Sequence, residues 1–279
     1  MGELAAPAFD PANAEHIAAY DELPLWSAQA GLLLLDHIPL RATRVLDLGC
    51  GAGFPALELA ERMGRGAQIV GLDPWEAALR RAHMKQHVWL VPHALLVRGD
   101  GVQIPFRDGA FQLVVSNLGI NNFSDPDGVL HEVGRVLTRD GSLAFTTNRE
   151  GHFAEFYEIM ADVLEASADP AALERLRAHV AHRGTIASLT ERLNRCGFHV
   201  DSVHERTVIM RFADGGAVFD HHFLRLGFVP AWRDVAGENA DAVLNEVRRR
   251  LDARAGAMGE LRLTVPLVVM IARPALAGR

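Results

Sequence analysis

Three acidic residues and a run of glycines carry the chemistry open to this sequence. The run is Val45-Leu46-Asp47-Leu48-Gly49-Cys50-Gly51-Ala52-Gly53, an apolar stretch of strand character that enters three glycines on alternate positions, with helical sequence directly after. Glycine is needed where the backbone takes unusual dihedrals and where a ligand comes close to the main chain. A loop at a strand's carboxyl end, pointing at a helix N-terminus, is where open α/β sheets place their ligands. Read from Gly51, the segment also fits G-x-G-x-x-A, a dinucleotide pattern. Asp47 argues against that reading: two residues before the first glycine, its carboxylate would stand near the phosphates of a dinucleotide and repel them. It suits a ligand that carries an amino group and a sulfonium.

Asp73 ends Val70-Gly71-Leu72-Asp73, 20 residues past Gly53. An acid there can accept hydrogen bonds from both ribose hydroxyls. It can also cap the helix that starts near Trp75, and the two roles are compatible. Asp100-Gly101 follows the third strand, where Asp-Gly is also an ordinary turn signal. Cys50 reads as a small space-filler whose backbone meets the ligand rather than as a reactive thiol.

The segment around Asp47 resembles the first motif of class I S-adenosylmethionine-dependent methyltransferases, and the agreement continues in order. Asp73 stands where the family has its ribose acid, and Asp100 where the family contacts the adenine amino group. The stretch from Gly101 to Phe111 resembles the family's loop into the fourth strand, although the usual Phe-Asp is Phe111-Gln112 here. Arg135-Val136-Leu137 and Asp140-Gly141 match the helix and turn before the fifth strand. The resemblance runs from Tyr20 to Thr147 and is nearest the ubiquinone and menaquinone methyltransferase group, in which a segment similar to Tyr20-Asp21 closes over the cofactor. It implies S-adenosylmethionine as cofactor, held by Tyr20, Asp47, Gly49, Cys50, Gly51, Gly53, Asp73, Pro74, Asp100, Gly101, Asn117 and Leu118. It also implies a Rossmann-like, seven-stranded, mostly parallel sheet with the last strand antiparallel, and methyl transfer as the activity.

The elements that must position these residues are legible as an alternation. Apolar runs with few alternating polar positions read as strands buried on both faces, at Arg44–Leu48, Gln68–Leu72, Ala94–Arg98, Phe111–Ser116 and Ser142–Thr147. Helices fall between them at Pro55–Met63, Trp75–Leu90 and Pro126–Leu137, with proline near two of the starts and Asp140-Gly141 as the turn into the last of these strands. Strand and helix repeated this way give an α/β, doubly wound sheet. Residues 1–40 form an N-terminal helical segment and 41–150 the cofactor core. Residues 151–279 complete the sheet, with helices at Phe153–Ala166, Ala171–His182 and Thr185–Cys196, strands at Phe198–Phe212 and Leu261–Ala272, and a helical insertion at 214–259. Gly197 fits the position just past a helix end. One sheet domain with helical additions fits this pattern better than two independent domains.

Composition narrows the function. Of 279 residues, 49% are hydrophobic and 23% charged, enough for a core. The net charge of -7 argues against a nucleic-acid partner, since polyanion binding needs a basic surface. Two cysteines exclude a disulfide framework and make no metal motif. No secretory signal and no bilayer-spanning segment is visible, so a cytoplasmic location and no membrane partner are expected.

The acceptor side is less informative. A sulfonium methyl is already activated, so alignment supplies most of the acceleration, and a base is needed only when the acceptor must lose a proton. Ser116 to Phe123 lacks the Asn/Asp-Pro-Pro-aromatic signature of nucleic-acid amino-methylating enzymes. Asn121 and Asn122 either orient a polar acceptor or form a turn. His152 is placed where a base could reach an acceptor hydroxyl; its bland reading is a solvent-facing ring at a helix start. His221 and His222 point to different faces of a helix, which disfavours a shared metal, and His222 or Arg225 is left as a pocket residue. Trp26 and Tyr157 complete the substrate candidates, with His152 and His222 the catalytic ones. The insertion, with Phe219, Phe223, Phe228 and Trp232, reads as an apolar substrate lid, or else as the core of a helical subdomain or a homodimer interface. The expected partner is a small, partly apolar methyl acceptor. The rival readings are a non-catalytic S-adenosylmethionine-binding regulator and a nicotinamide-dependent oxidoreductase.

Overall fold

The computed structural model describes residues 9–21 and 24–275. The chain divides into two compact units, one built from Asp10–Thr147, Thr185–Arg206 and the chain from Leu267 on, the other from Asn148–Gly184 and Thr207–Pro266.

The first unit holds a seven-stranded sheet, apart from residues 148, 207–212 and 261–266 of its strands, which fall in the second. Its strands are β1 (Arg44–Leu48), β2 (Gln68–Asp73), β3 (Ala94–Arg98), β4 (Phe111–Asn117), β5 (Leu137–Asn148), β6 (Phe198–Phe212) and β7 (Leu261–Pro274), in the order β3-β2-β1-β4-β5-β7-β6. The pairs β1–β2, β1–β4, β2–β3 and β4–β5 are parallel, and one strand of the sheet is antiparallel, as expected. The chain winds outward from β1 to β3, then returns to the other side of β1 with β4. That reversal opens a crevice at the carboxyl ends of β1 and β4, where such sheets bind ligands.

The helices of this unit are α1 (Ala14–Asp21), α2 (Pro24–His37), α3 (Ala56–Met63), α4 (Glu76–Trp89), α5 (Pro126–Val136) and α8 (Ile186–Arg195). α5 starts with Asp125 accepting the Gly128 amide at 2.9 Å and Pro126 in its first turn, the arrangement that satisfies orphan donors most economically. α8 starts with a reciprocal Thr185–Ser188 capping box and ends ahead of Gly197 at φ 82°. One face of the sheet buries Leu46, Leu48, Val70, Val114 and Phe145 against Val129 and Val133 of α5 and Leu189 and Leu193 of α8.

Most element bounds follow the sequence. β5 does not, because it begins at Leu137 rather than Ser142. Phe111 pairs with Leu137 and Leu113 with Ser142, so Asp140-Gly141 sits inside a register shift of the strand instead of forming a separate turn before it.

The second unit is helical: α6 (Ala154–Ala166), α7 (Pro170–Ala181), α9 (Gly215–Asp220), α10 (His222–Gly227), α11 (Val229–Ala236) and α12 (Ala240–Met258). Its interior is aromatic. Phe156 stacks on Trp232 at 4.0 Å between ring centroids, Phe219 meets the same indole edge-on at 5.7 Å, and Trp232 Nε1 donates to Tyr157 Oη at 3.3 Å.

Candidate functional site

The carboxyl ends of β1, β2 and β4 bring the cofactor candidates together. After β1 the amides of Gly49 and Cys50 both donate to Leu72 O, at 2.8 and 3.2 Å, and Gly53 N donates to Cys50 O at 2.8 Å. These bonds fix the loop to β2 and close it on itself. Gly51 takes φ 52°, and a side chain there would meet nothing within 4 Å, so the loop presents bare backbone to open space. Gly53 takes φ 104°, and its missing Cβ would fall 2.8 Å from Leu57 Cδ1. Its absence lets α3 begin directly beneath the loop, with Leu57 N donating to Gly53 O.

Asp47 lies at the base of this loop and is fully buried. Neither of its oxygens has a hydrogen-bond partner among the described residues. Burial pushes the carboxyl up to about 8; the nearby Ala56 amide, short of a hydrogen bond, offsets this in part, and the charge of Asp73 adds to it. A buried carboxylate left without a donor is costly to the fold. It becomes favourable only when a cation or a donor arrives, which is the chemistry of an ammonium-bearing ligand. Asp73 is also buried, but it is satisfied: Oδ2 accepts the Gly51 amide and Oδ1 the Trp75 amide, both at 2.8 Å. Burial raises this carboxyl too, and the two amides oppose the rise. It does not cap α4, whose N-cap is Trp75; its Oδ1 closes a turn just ahead of the helix, and its second oxygen grips the glycine loop, a contact the sequence did not reveal.

The other candidates sit as follows. Asp100 is exposed, with Oδ1 accepting the Val102 amide at 3.1 Å, so its turn reading is realised. Gly101 is buried with its α-carbon against Val129 of α5. The loop it opens has no helix of its own; Arg135 holds it instead, donating to the carbonyls of Phe106 and Ile104 and to Asp108, while Glu132 accepts the Ile104 amide. Asn117 Nδ2 donates to Ser27 O at 3.0 Å, tying α2 to the end of β4, and its Oδ1 accepts from Thr146 Oγ1 at 2.7 Å. Leu118, at φ 59°, donates its amide to Thr146 O and Oγ1. Thr146 was not foreseen, because nothing in the sequence sets its hydroxyl apart from those of Ser142 and Thr147 in the same strand. α1 is held against α4 by Asp21, which accepts from Arg81 Nε at 2.5 Å and Lys85 Nζ at 2.7 Å. Pro74 is exposed between Asp73 and Trp75. The side chains of Tyr20, Trp26 and Asn121 lie outside the described residues.

Several acceptor-side readings are corrected. His152 does not face solvent: it is buried in the helical unit, stacked 4.0 Å from Phe153 and 5.5 Å from Phe228. Burial, with Arg183 and His179 nearby, holds its imidazole well below the usual range, so it is neutral near pH 7. Tyr157 is a core residue of the same unit, its hydroxyl meeting His179 Nε2 at 2.9 Å as well as Trp232. Phe219, Phe223 and Trp232 are buried against one another and their neighbours, so they form the core of the helical unit and are not free to line a lid. His222 is half-buried at the start of α10, and Arg225 is exposed. Asn122 is exposed and donates Nδ2 to Leu118 O, the turn alternative. Among the described residues no group of three or more His, Cys, Asp or Glu could hold a metal.

A family model described as a methyltransferase domain matches residues 46–145, the stretch that carries the glycine loop, Asp73, Asp100 and Asn117. A demethylmenaquinone methyltransferase of Thermus thermophilus is 32% identical over 160 residues, which cover 55% of this chain and 68% of that protein. The chain belongs to the S-adenosylmethionine-dependent methyltransferases. This methyltransferase-family chain is also 37% identical over 147 residues to the malonyl-acyl-carrier-protein O-methyltransferase of Legionella pneumophila, which covers 52% of this chain and 51% of that one. It thus spans about half the length of that relative. Its fold is similar to that of an S-adenosylmethionine-dependent methyltransferase of Aquifex aeolicus, at TM-score 0.54 and 18% identity over 68% of this chain and 91% of the other. The family's cofactor is S-adenosylmethionine, and the donor set fits it: an unpartnered buried carboxylate, a bare glycine backbone and a ribose-type acid at the end of β2.

Proposed function

We propose that this chain transfers a methyl group from S-adenosylmethionine to a small, partly apolar acceptor at oxygen, carbon or nitrogen. The observation that carries the cofactor half is Asp47, a fully buried carboxyl with no hydrogen-bond partner among the described residues, at the base of a loop in which Gly51 has open space beside its α-carbon. The acceptor half draws support from the relatives, one named for malonyl-acyl-carrier protein and one for demethylmenaquinone.

The cofactor supplies an activated methyl group bound to a positively charged sulfur. The protein's task is to position and to exclude water. Asp47 and Asp73, with the amides of the Gly49–Gly53 loop, are the groups that bind and orient the cofactor. The loop is already bonded to β2 on one side and α3 on the other, so little ordering remains to be done on binding. Asn117 and Leu118, locked by Thr146, are proposed to complete the wall of that site. Where the acceptor must lose a proton, a base is required as well.

The test is calorimetric titration with S-adenosylhomocysteine, NAD in parallel, followed by transfer of labelled methyl to a panel of carboxylate, phenol, quinol and amine acceptors. Saturable binding of S-adenosylhomocysteine alone, weakened by Asp47→Asn, with label moving to one acceptor class, supports the reading. Binding without transfer to any acceptor would favour a regulatory binder, and binding of NAD instead would overturn it.

A further inference from the structure

The helical unit threads one line of polar groups between its aromatic rings. Trp232 of α11 donates its indole N–H to Tyr157 Oη of α6 at 3.3 Å, and the same hydroxyl meets Nε2 of His179, on α7, at 2.9 Å. Arg183, two residues past the end of α7, brings its guanidinium carbon to 6.0 Å from the centre of the Tyr157 ring. It is close enough to the Tyr157 hydroxyl to oppose the rise that burial causes in that phenol. His152 lies within reach of the charge of Arg183. All of these residues belong to the helical unit.

What the line lacks is an anion. Among the described residues Arg183 makes no ion pair. Three acids of α6 and α7 are turned elsewhere: Glu155 accepts from Thr264, Glu158 faces Arg254 and Glu174 faces Arg177. The rings beside the guanidinium carry no charge to meet it. Burial first, and then Arg183, hold the His152 imidazole well below its usual range. The same causes, with His182, push His179 down to about 4, so both are neutral near pH 7. A cation just past a helix C-terminus gains from the helix dipole, and a cation over a phenol gains from its π face. Neither gain supplies acceptors for the N–H groups of the guanidinium fork. Arg183 and His179 are each half-buried, so a solute can reach them.

We propose that Arg183, with Tyr157 and His179 beside it, binds the carboxylate of an organic acid. The planar fork of one guanidinium matches the two oxygens of one carboxylate. A single fixed cation balances one negative charge, whereas a phosphate group brings nearly two. The aromatic surroundings, with Phe156 stacked on Trp232 and Tyr157 edge-on to Phe156, lower the local polarity and strengthen such a pair. They also favour an acid with an apolar body. The site lies within the helical unit alone and requires no methyl transfer.

The experiment is calorimetric titration of the full chain with octanoate, with octanol and inorganic phosphate as parallel probes. Saturable binding of octanoate, at least tenfold tighter than either control, is expected. Arg183→Gln should weaken it about tenfold or more, and Arg183→Lys, which keeps the charge and loses the fork, by less. Urea unfolding shows that each variant is folded. Titration of the same proteins with S-adenosylhomocysteine reads the cofactor site, so failure of the proposed activity is seen separately. No saturable octanoate binding by the parent would overturn the proposal. Affinity unchanged in Arg183→Gln, or octanol or phosphate bound as tightly, would do the same.

Discussion

One carboxylate of Asp73 ties two elements of the cofactor site together, accepting the Gly51 amide through Oδ2 and the Trp75 amide through Oδ1, each at 2.8 Å. The loop after β1 and the entry to α4 are thus set by a single buried side chain at the end of β2. Asp73→Ala leaves both amides without their acceptor in a site from which water is largely excluded. A loss of about 2–4 kcal/mol in stability is expected, together with at least tenfold weaker binding of S-adenosylhomocysteine. Asp73→Asn, which keeps one acceptor oxygen, should fall between the two. Urea unfolding and calorimetry on the three proteins check this.

Asp47 gives the unliganded protein a particular pH dependence. Its carboxyl titrates near 8 in the folded chain and near 3.8 in the unfolded one. The folded state therefore holds a proton that the unfolded state releases between about pH 4 and pH 8, and stability falls as pH rises through that window. The full effect is bounded at about 6 kcal/mol, and Asp47→Asn should flatten the slope. A bound ammonium group favours the ionised form, so S-adenosylhomocysteine should bind more tightly as pH rises from about 6 to 8 and should release a proton on binding. Urea unfolding across this range checks the first expectation, and calorimetry in two buffers of different ionisation enthalpy the second.

What the sequence made legible was local. β1, β3 and β6 begin and end where the apolar pattern placed them, and each adjoins a glycine at one end, Gly49, Gly99 and Gly197. Asp47 was recognisable because its position ahead of the glycines is itself sequential. Long-range relations were not. Asp140-Gly141 looked like a turn, but pairing of Leu137 with Phe111 extends the strand across it. Phe219 and Trp232 looked like pocket wall because composition cannot say which neighbours an aromatic ring meets; the fold packs them into the helical unit's interior. Thr146 stayed hidden for the same reason: its meaning depends on a partner element far away in sequence.

The stretch between β3 and β4 depends on Arg135 in place of a helix. Its guanidinium bonds the carbonyls of Phe106 and Ile104 together with Asp108 and Glu132, and it sits about one-third exposed. A planar fork meets these acceptors simultaneously, which an ammonium cannot. Arg135→Lys and Arg135→Ala should therefore both destabilise, by about 1–2 and 2–3 kcal/mol. Amide exchange measured by mass spectrometry should rise first in residues 101–110, and S-adenosylhomocysteine affinity should fall because Asp100 is carried on that loop.

Asp21 poses the sharpest question about the N-terminal helices. It joins Arg81 and Lys85 of α4, with all three side chains less than a quarter exposed. Partial burial makes this triad stronger than a surface ion pair, and removal of the acid leaves two neighbouring cations that repel each other. Asp21→Asn should cost about 1–3 kcal/mol and loosen α1 from α4 without unfolding the sheet. Limited proteolysis should then cut N-terminal to Ser27 faster than in the parent, while cleavage in the sheet is unchanged. If α1 helps to close over the cofactor, as Tyr20-Asp21 suggests by resemblance, S-adenosylhomocysteine should protect the parent from that cleavage and protect Asp21→Asn far less. Equal protection of both would show that the cofactor is retained without α1, and that the Asp21 triad serves stability alone.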